Sequence, residues 1–126
     1  MEGQYTRGKL HRRTLLLWEM LRGAFAALPI SVELPPYEFV DSFEASEALH
    51  RAVGEMTEVP ADVAAALKKG TLEIQQCLLI LTGTQGMGTY IPGVHELWSV
   101  HLDRVEAIFK VLDSVGVDLE ANPEEE

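Results

Sequence analysis

The stretch VHELWSVHLDRVEAIFKVLDSV, residues 94–115, determines the fold class of this chain. Its apolar positions return in alternating steps of four and three, which is the spacing of a helical stripe that packs against other helices. These positions are Val94, Trp98, His101, Val105, Ile108, Leu112 and Val115. Pro92-Gly93 stands before the stretch and Gly116 after it, as expected at helix ends. The stretch therefore predicts one long helix with a continuous apolar face.

Upstream segments show the same helical period and are separated by boundary signals. Pro29 ends the first segment, and Asp41 followed by Glu44 forms a capping-box-like start for the second. Pro60 suits the first turn of a new helix, and Lys68-Lys69-Gly70 is typical of a helix end. Between the first two helices, residues 29–41 have no helical period. The five predicted helices cover residues 7–28, 42–58, 60–69, 71–82 and 94–115.

The helix lengths predict an all-α bundle. The first and last helices are of similar length, and the second is slightly shorter. The third and fourth match that length only when they are laid end to end, which predicts a four-rod bundle with the third rod broken near Gly70. We expect one domain over residues 1–126, with a flexible N-terminus (1–6) and a flexible acidic tail (117–126).

Charge is unevenly distributed along the chain. The net charge is −10, yet residues 1–22 hold five Lys and Arg against two acids. The remaining residues hold five Lys and Arg against 18 acids, so this body should repel nucleic acid and anionic membranes. Only the basic N-terminal segment could attract a phosphate backbone. It could equally attract an acidic protein surface, including that of a second copy.

The first predicted helix also has the outline of an export signal. Two arginines precede the apolar part of HRRTLLLWEMLRGAFAAL, residues 11–28, but Glu19 and Arg22 lie inside it, which favours an amphipathic helix. No apolar run approaches the roughly 18 residues of a membrane span. The single cysteine, Cys77, lies in an apolar run, excludes an internal disulfide and suits a buried position. We therefore expect a cytoplasmic protein that does not enter membranes.

The glycine-rich stretch LLILTGTQGMGTYIPG, residues 78–93, resembles a phosphate-binding loop only superficially. No lysine follows its glycines, so it is not a P-loop, and the glycine spacing differs from a dinucleotide fingerprint. The βα units that a dinucleotide fold needs are also missing. We expect a helix–helix connection whose Met87 and Tyr90 form an apolar tip for protein contact, and we predict no cofactor.

Histidines supply the remaining candidates for chemistry. Glu47-x-x-His50 is half of a di-iron pattern, and the chain contains no second E-x-x-H. His95 and His101 lie about 240° apart around a helix and cannot share an ion from one face. His101 in the apolar stripe is either a hydrogen-bonded core residue or a pH-sensitive residue of a helix–helix interface. We predict no catalytic and no metal-binding residues.

These patterns favour a non-catalytic interaction, assembly or regulatory protein. We expect self-association as a dimer through the last helix, with Leu102 on an exposed apolar edge. One alternative is an acidic inhibitor or immunity-type protein that covers a basic surface of a toxin, nuclease or polymerase. Another is a small enzyme or metal-binding bundle. The predicted partner-binding residues are Arg7, Lys9, Arg12, Arg13, Met87, Tyr90, Trp98, His101 and Leu102.

Overall fold

The computed structural model describes residues 6–37, 41–86 and 91–117, which contain four α-helices and no β-strand. The helices are α1 (Arg7–Ala26), α2 (Ser42–Gly54), α3 (Ala61–Gly83) and α4 (Val94–Ser114). The predicted all-α bundle is confirmed. None of these helices is both long enough and apolar enough to span a membrane.

The antiparallel pair of α3 and α4 forms the centre of the bundle. Gly70 lies beside Ile108 and Glu73 beside His101, so the two helices run in opposite directions. Helix α1 packs against both, whereas α2 packs mainly on α3. The flanks of α4 are therefore not equivalent, because only one of them is covered by α1.

The predicted break near Gly70 is wrong, because α3 continues without interruption through this residue. Gly70 is buried, and a Cβ placed there would lie 3.5 Å from Cγ2 of Ile108. Thr71, which suits a helix cap by sequence, instead donates from its hydroxyl to the carbonyl of Lys68 at 2.8 Å inside the helix. Packing against α4 overrides the local stop signal, so two predicted helices are one.

Helix boundaries follow the capping chemistry of the sequence in several places. The Asp41 carboxylate accepts from the backbone N–H of Glu44 at 2.8 Å, as the capping-box pattern predicts. Helix α2 ends at Gly54, four residues before its predicted end. The segments predicted to be flexible lie outside the described residues except at two positions. Thr6 caps α1, and Val117 is buried.

A core of apolar side chains joins all four helices and the connection after α1. Trp18 of α1 donates its indole N–H to the carbonyl of Pro35 at 2.8 Å, and Arg22 donates to the carbonyl of Leu34 at 3.0 Å. These bonds satisfy backbone groups that have no strand partner. The connection thereby packs as irregular chain against α1.

Candidate protein-interaction surface

Helix α4 has a core face and a second apolar row that the bundle leaves open. The buried residues of α4 are His95, Trp98, Leu102, Val105, Phe109 and Leu112. On one flank of this face lie Leu97, Val100, Val111 and Val115, which are 52%, 43%, 53% and 47% exposed. We call these four residues the outer stripe. They are large apolar side chains that remain about half accessible to water.

The outer stripe has the spacing of a helix-packing surface. Arg104 and Ala107 fill the gap between Val100 and Val111, so positions 97, 100, 104, 107 and 111 alternate steps of three and four. At 1.5 Å per residue, the row from Leu97 to Val111 extends for about 21 Å. Single exposed apolar residues are common on proteins, whereas a row of them on one helix flank indicates a contact surface.

A charged cluster lies between the outer stripe and α3. His101 donates from Nδ1 to Oε1 of Glu73 at 2.5 Å, and Arg104 Nη1 lies 3.7 Å from Oε2 of the same carboxylate. The His101 and Glu73 side chains are 14% and 23% exposed, against 60% for Arg104. The structure therefore places His101 at the α3–α4 contact, where its ring is hydrogen-bonded to the carboxylate of Glu73.

Two residues predicted to bind a partner lie in the core of the chain. Trp98 and Leu102 are both 0% exposed, so the expectation that Leu102 forms an exposed edge is wrong. Trp98 donates its indole N–H to the hydroxyl of Thr14 at 3.0 Å. Helices α1 and α3 bury this part of the apolar face, whereas Val94, Leu97 and Val115 stay partly exposed.

The basic residues of α1 divide between internal and exposed roles. Arg13 pairs with Asp103 at 2.9 Å and with Glu106 at 3.0 Å, both on α4. Arg7 donates to the carbonyl of Leu81 at 2.9 Å and also to the hydroxyl of Thr84. Contacts between the basic first helix and acidic groups of the body thus form within one chain.

The other two basic residues of the predicted set, Lys9 and Arg12, are exposed. Met87 and Tyr90 lie outside the described residues. The adjoining Gly86 and Gly93 have φ angles of 82° and 80°, in the left-handed region that favours glycine. The proposed contact role of the loop tip stays a prediction.

A groove between α2 and α3 is a further concave feature. It has a volume of about 530 Å³ and lies open to solvent, and the side chain of Gln75 donates to the hydroxyl of Ser46 at 2.9 Å. The groove lining is Ser46, Leu49, His50, Val53, Lys68, Thr71, Leu72 and Gln75. Across residues 6–37, 41–86 and 91–117, no three His, Cys, Asp or Glu side chains gather where they could hold a metal ion.

Cys77 is buried in α3 and does not carry the chemistry of a nucleophile. Burial, followed by the negative charge of Glu73, raises the pKa of its thiol to about 12. The reactive form of a cysteine is the thiolate, which this environment suppresses at neutral pH. The expectation of a small buried apolar residue therefore fits the position of Cys77.

Comparison with known proteins found no counterpart. No protein family matches the sequence, and no curated protein or solved structure shows significant similarity to it. The interpretation of the surface therefore depends on the side chains of this chain alone.

Sequence reasoning missed the outer stripe because it assigned one apolar face to α4. Val115 belongs to the predicted apolar row, whereas Leu97, Val100 and Val111 lie outside it. A second three-and-four pattern, offset from the core row, is present from Leu97 to Val111. Only the positions of α1 and α3 show which of the two rows is buried.

Proposed function

We propose that this protein acts through protein–protein contacts and associates with a second copy through the outer stripe of α4. The observation that supports the proposal is the row of four half-exposed apolar side chains at helix-packing spacing. Removing such side chains from water contributes roughly 25 cal/mol for each Å² buried. A second copy that covers the row would bury the apolar side chains that remain exposed to water in the single chain.

The charges beside the outer stripe favour contact between like copies. Glu96, Asp103, Glu106 and Lys110 each immediately precede a position of the row, and Arg104 lies within it. Three acids therefore accompany two bases, and Arg13 of α1 pairs with two of these acids, in a chain whose net charge is −10. The repulsion between two acidic copies is weakest at a surface where charges cancel.

The size of the surface predicts a weak dimer. Helix α4 has 21 residues, so its length is about 31 Å at 1.5 Å per residue. One helix face of that length provides less than the roughly 800 Å² per partner of a standard stable interface. We therefore expect a dimer that forms at micromolar concentrations and dissociates on dilution.

The acidic body supports a second candidate function. Twenty Asp and Glu against ten Lys and Arg would suit a protein that covers a basic surface of a toxin, nuclease or polymerase. The two proposals predict opposite effects of salt. Salt screens repulsion between like copies and strengthens the apolar dimer, whereas it weakens binding to a basic partner.

Light scattering and sedimentation equilibrium over a wide concentration range test the first proposal. We expect the mass to rise above the 14.0 kDa of one chain with increasing concentration, and to rise further with added salt. Leu97→Glu and Val111→Glu should hold the protein at monomer mass. Leu16→Glu is the matched control, because Leu16 is 59% exposed but lies on α1. Monomer mass at every concentration and salt level would refute self-association.

A further inference from the structure

We infer that the second copy packs antiparallel on α4, across a two-fold axis that passes close to Arg104. This inference rests on the proposed self-association and adds the orientation of the partner. The starting observation is the near-symmetry of the row from Leu97 to Val111 about this residue, which does not extend to Val115, whose counterpart is Gly93. Leu97 and Val111 each lie seven residues from Arg104, and Val100 and Ala107 lie four and three residues away.

Antiparallel packing matches the apolar residues of the two copies. A two-fold axis near residue 104 places Leu97 opposite Val111 of the second copy, and Val100 opposite Ala107. Leu97 and Val111 are the two most exposed residues of the outer stripe. The antiparallel arrangement therefore covers each of them with an apolar side chain of the other copy. The contact is isologous, because every pairing occurs twice.

The flanking charges favour the same orientation. Glu96 and Lys110 lie seven residues on either side of Asp103, so antiparallel packing brings Glu96 of each copy towards Lys110 of the other. In parallel packing, Glu96, Asp103 and Lys110 of one copy would instead face the positions five residues further along the other copy. These positions are His101, Ile108 and Val115. Opposite charges therefore meet twice in the antiparallel arrangement and not at all in the parallel one.

The ends of the helix give an independent reason. Residues 118–126, which follow α4, contain five acidic residues. Parallel packing would set the points where these acidic segments begin, directly after Val117, at one end of the dimer, whereas antiparallel packing separates these points by the length of the helix. Antiparallel helices also set the positive end of one helix dipole beside the negative end of the other.

The axis itself would gather a balanced charged cluster. Arg104 is 60% exposed and lies 3.7 Å from the carboxylate of Glu73, so its guanidinium is available to a neighbouring copy. Two arginines and two glutamates meet there in the dimer, beside the two copies of Asp103, each of which is paired with Arg13 of its own chain. Arg104 of one copy can then contact Glu73 of the other, which offsets the repulsion between the two guanidinium groups.

Crosslinking through one introduced cysteine distinguishes the antiparallel from the parallel orientation. The native Cys77 is 0% exposed and its pKa is raised to about 12, so it does not compete in the folded protein at neutral pH. The probes are Arg104→Cys, Leu97→Cys and Val111→Cys, treated with a short bismaleimide after circular dichroism has verified the fold. In the antiparallel dimer the two copies of position 97 lie about 21 Å apart, beyond the reach of the linker.

We expect Arg104→Cys to crosslink to itself. Leu97→Cys alone and Val111→Cys alone should give no dimer above the wild-type background, whereas their equimolar mixture should give a crosslinked heterodimer. Self-crosslinking of Leu97→Cys and of Val111→Cys separately would establish parallel packing and overturn the inference. No crosslinking by any probe, in samples that light scattering shows to be dimeric, would place the interface elsewhere and overturn it as well.

Charge reversal provides a second measurement that leaves the apolar residues intact. Lys110→Glu should weaken the dimer, because Glu96 of the other copy then meets a like charge. The double variant Glu96→Lys with Lys110→Glu should restore it. A double variant weaker than either single variant would contradict the antiparallel pairing. If every sample is monomeric by light scattering, the proposed self-association itself fails, which is a different outcome from dimers with the wrong crosslinks.

Discussion

Trp98 on α4 donates its indole N–H to the hydroxyl oxygen of Thr14 on α1 across 3.0 Å, and both side chains are fully buried. The same hydroxyl donates to the carbonyl of Leu10 at 2.8 Å. The threonine thus acts as donor and acceptor at once. This polar contact between the first and last helices fixes their relative position inside an otherwise apolar core.

Replacing Thr14 with Val should destabilise the protein by about 1–3 kcal/mol, because it leaves the buried indole N–H of Trp98 without an acceptor. Urea denaturation of the two proteins measures the difference. Thr71→Val is the matched control, since the Thr71 hydroxyl donates only to a carbonyl of its own helix and no buried donor depends on it. Equal losses for the two variants would contradict a special role for the Thr14–Trp98 contact.

Replacing Gly70 with Ala should stabilise the protein by about 0.5–1 kcal/mol, because glycine is a poor residue for a helix interior. The new Cβ would lie 3.5 Å from Cγ2 of Ile108, which is ordinary van der Waals contact. Gly93→Ala is the contrasting variant and should destabilise, since Gly93 has a φ of 80°. Thermal melts of both variants measure these effects. A lower melting temperature for Gly70→Ala would favour a broken helix.

Glutamate substitutions should distinguish the two faces of α4. Leu102→Glu buries a carboxylate in the core and should unfold the protein, because Leu102 is 0% exposed. Leu97→Glu should change the stability of the monomer little, since that side chain already contacts water. Circular dichroism and denaturant titration at low protein concentration test both. A folded Leu102→Glu variant would show that the core assignment of this residue is wrong.

Acid should destabilise the fold partly through His95. This residue is 0% exposed, its Nδ1 accepts the backbone N–H of Ile91 at 2.9 Å, and burial followed by the charge of Arg7 lowers its pKa. As the pH falls below the ordinary value of 6.5, the unfolded chain takes up a proton that the folded chain refuses. The free energy of unfolding should therefore decrease on the acid side of 6.5, down to the lowered pKa.

Urea titrations across this pH range test the contribution of His95. In His95→Asn, an amide oxygen can still accept from the backbone but does not titrate, so the loss of stability with acid should become smaller. Some loss should remain, because burial and nearby arginines also lower the pKa of His11. His50→Gln is the control for the replacement of an exposed histidine. An identical acid dependence in wild type and His95→Asn would contradict the assignment.

Local patterns predicted most of the helices but not the continuity of α3. The cap at Asp41, the end of α1 near Pro29 and the extent of α4 all depend on residues within one or two turns, which sequence shows directly. The stop signal at Gly70 is equally local, yet the helix continues. Gly70 is buried beside Ile108, and the stabilisation from this packing exists only when α4 is in place.

The sequence did not show which apolar row of α4 forms the exposed surface. The residues of the outer stripe and those of the core row are similar in kind, and both rows have helical spacing. Nothing within the helix distinguishes them, so Leu102 was predicted to be exposed and Val100 was not considered. Packing by α1 and α3 from two sides buries Trp98 and Leu102 and leaves Leu97 and Val100 about half in water.

The sequence by itself determined the helical class, the main caps, the net charge of −10 and the presence of more apolar surface on α4 than one partner helix needs. These properties depend on residue type and on spacings of three and four along one chain. The tertiary structure decided which row of α4 is buried, that Arg13 is paired with α4, and that α3 is unbroken. Burial and ion pairing depend on residues far apart in sequence, such as Gly70 and Ile108, and only folding brings these together.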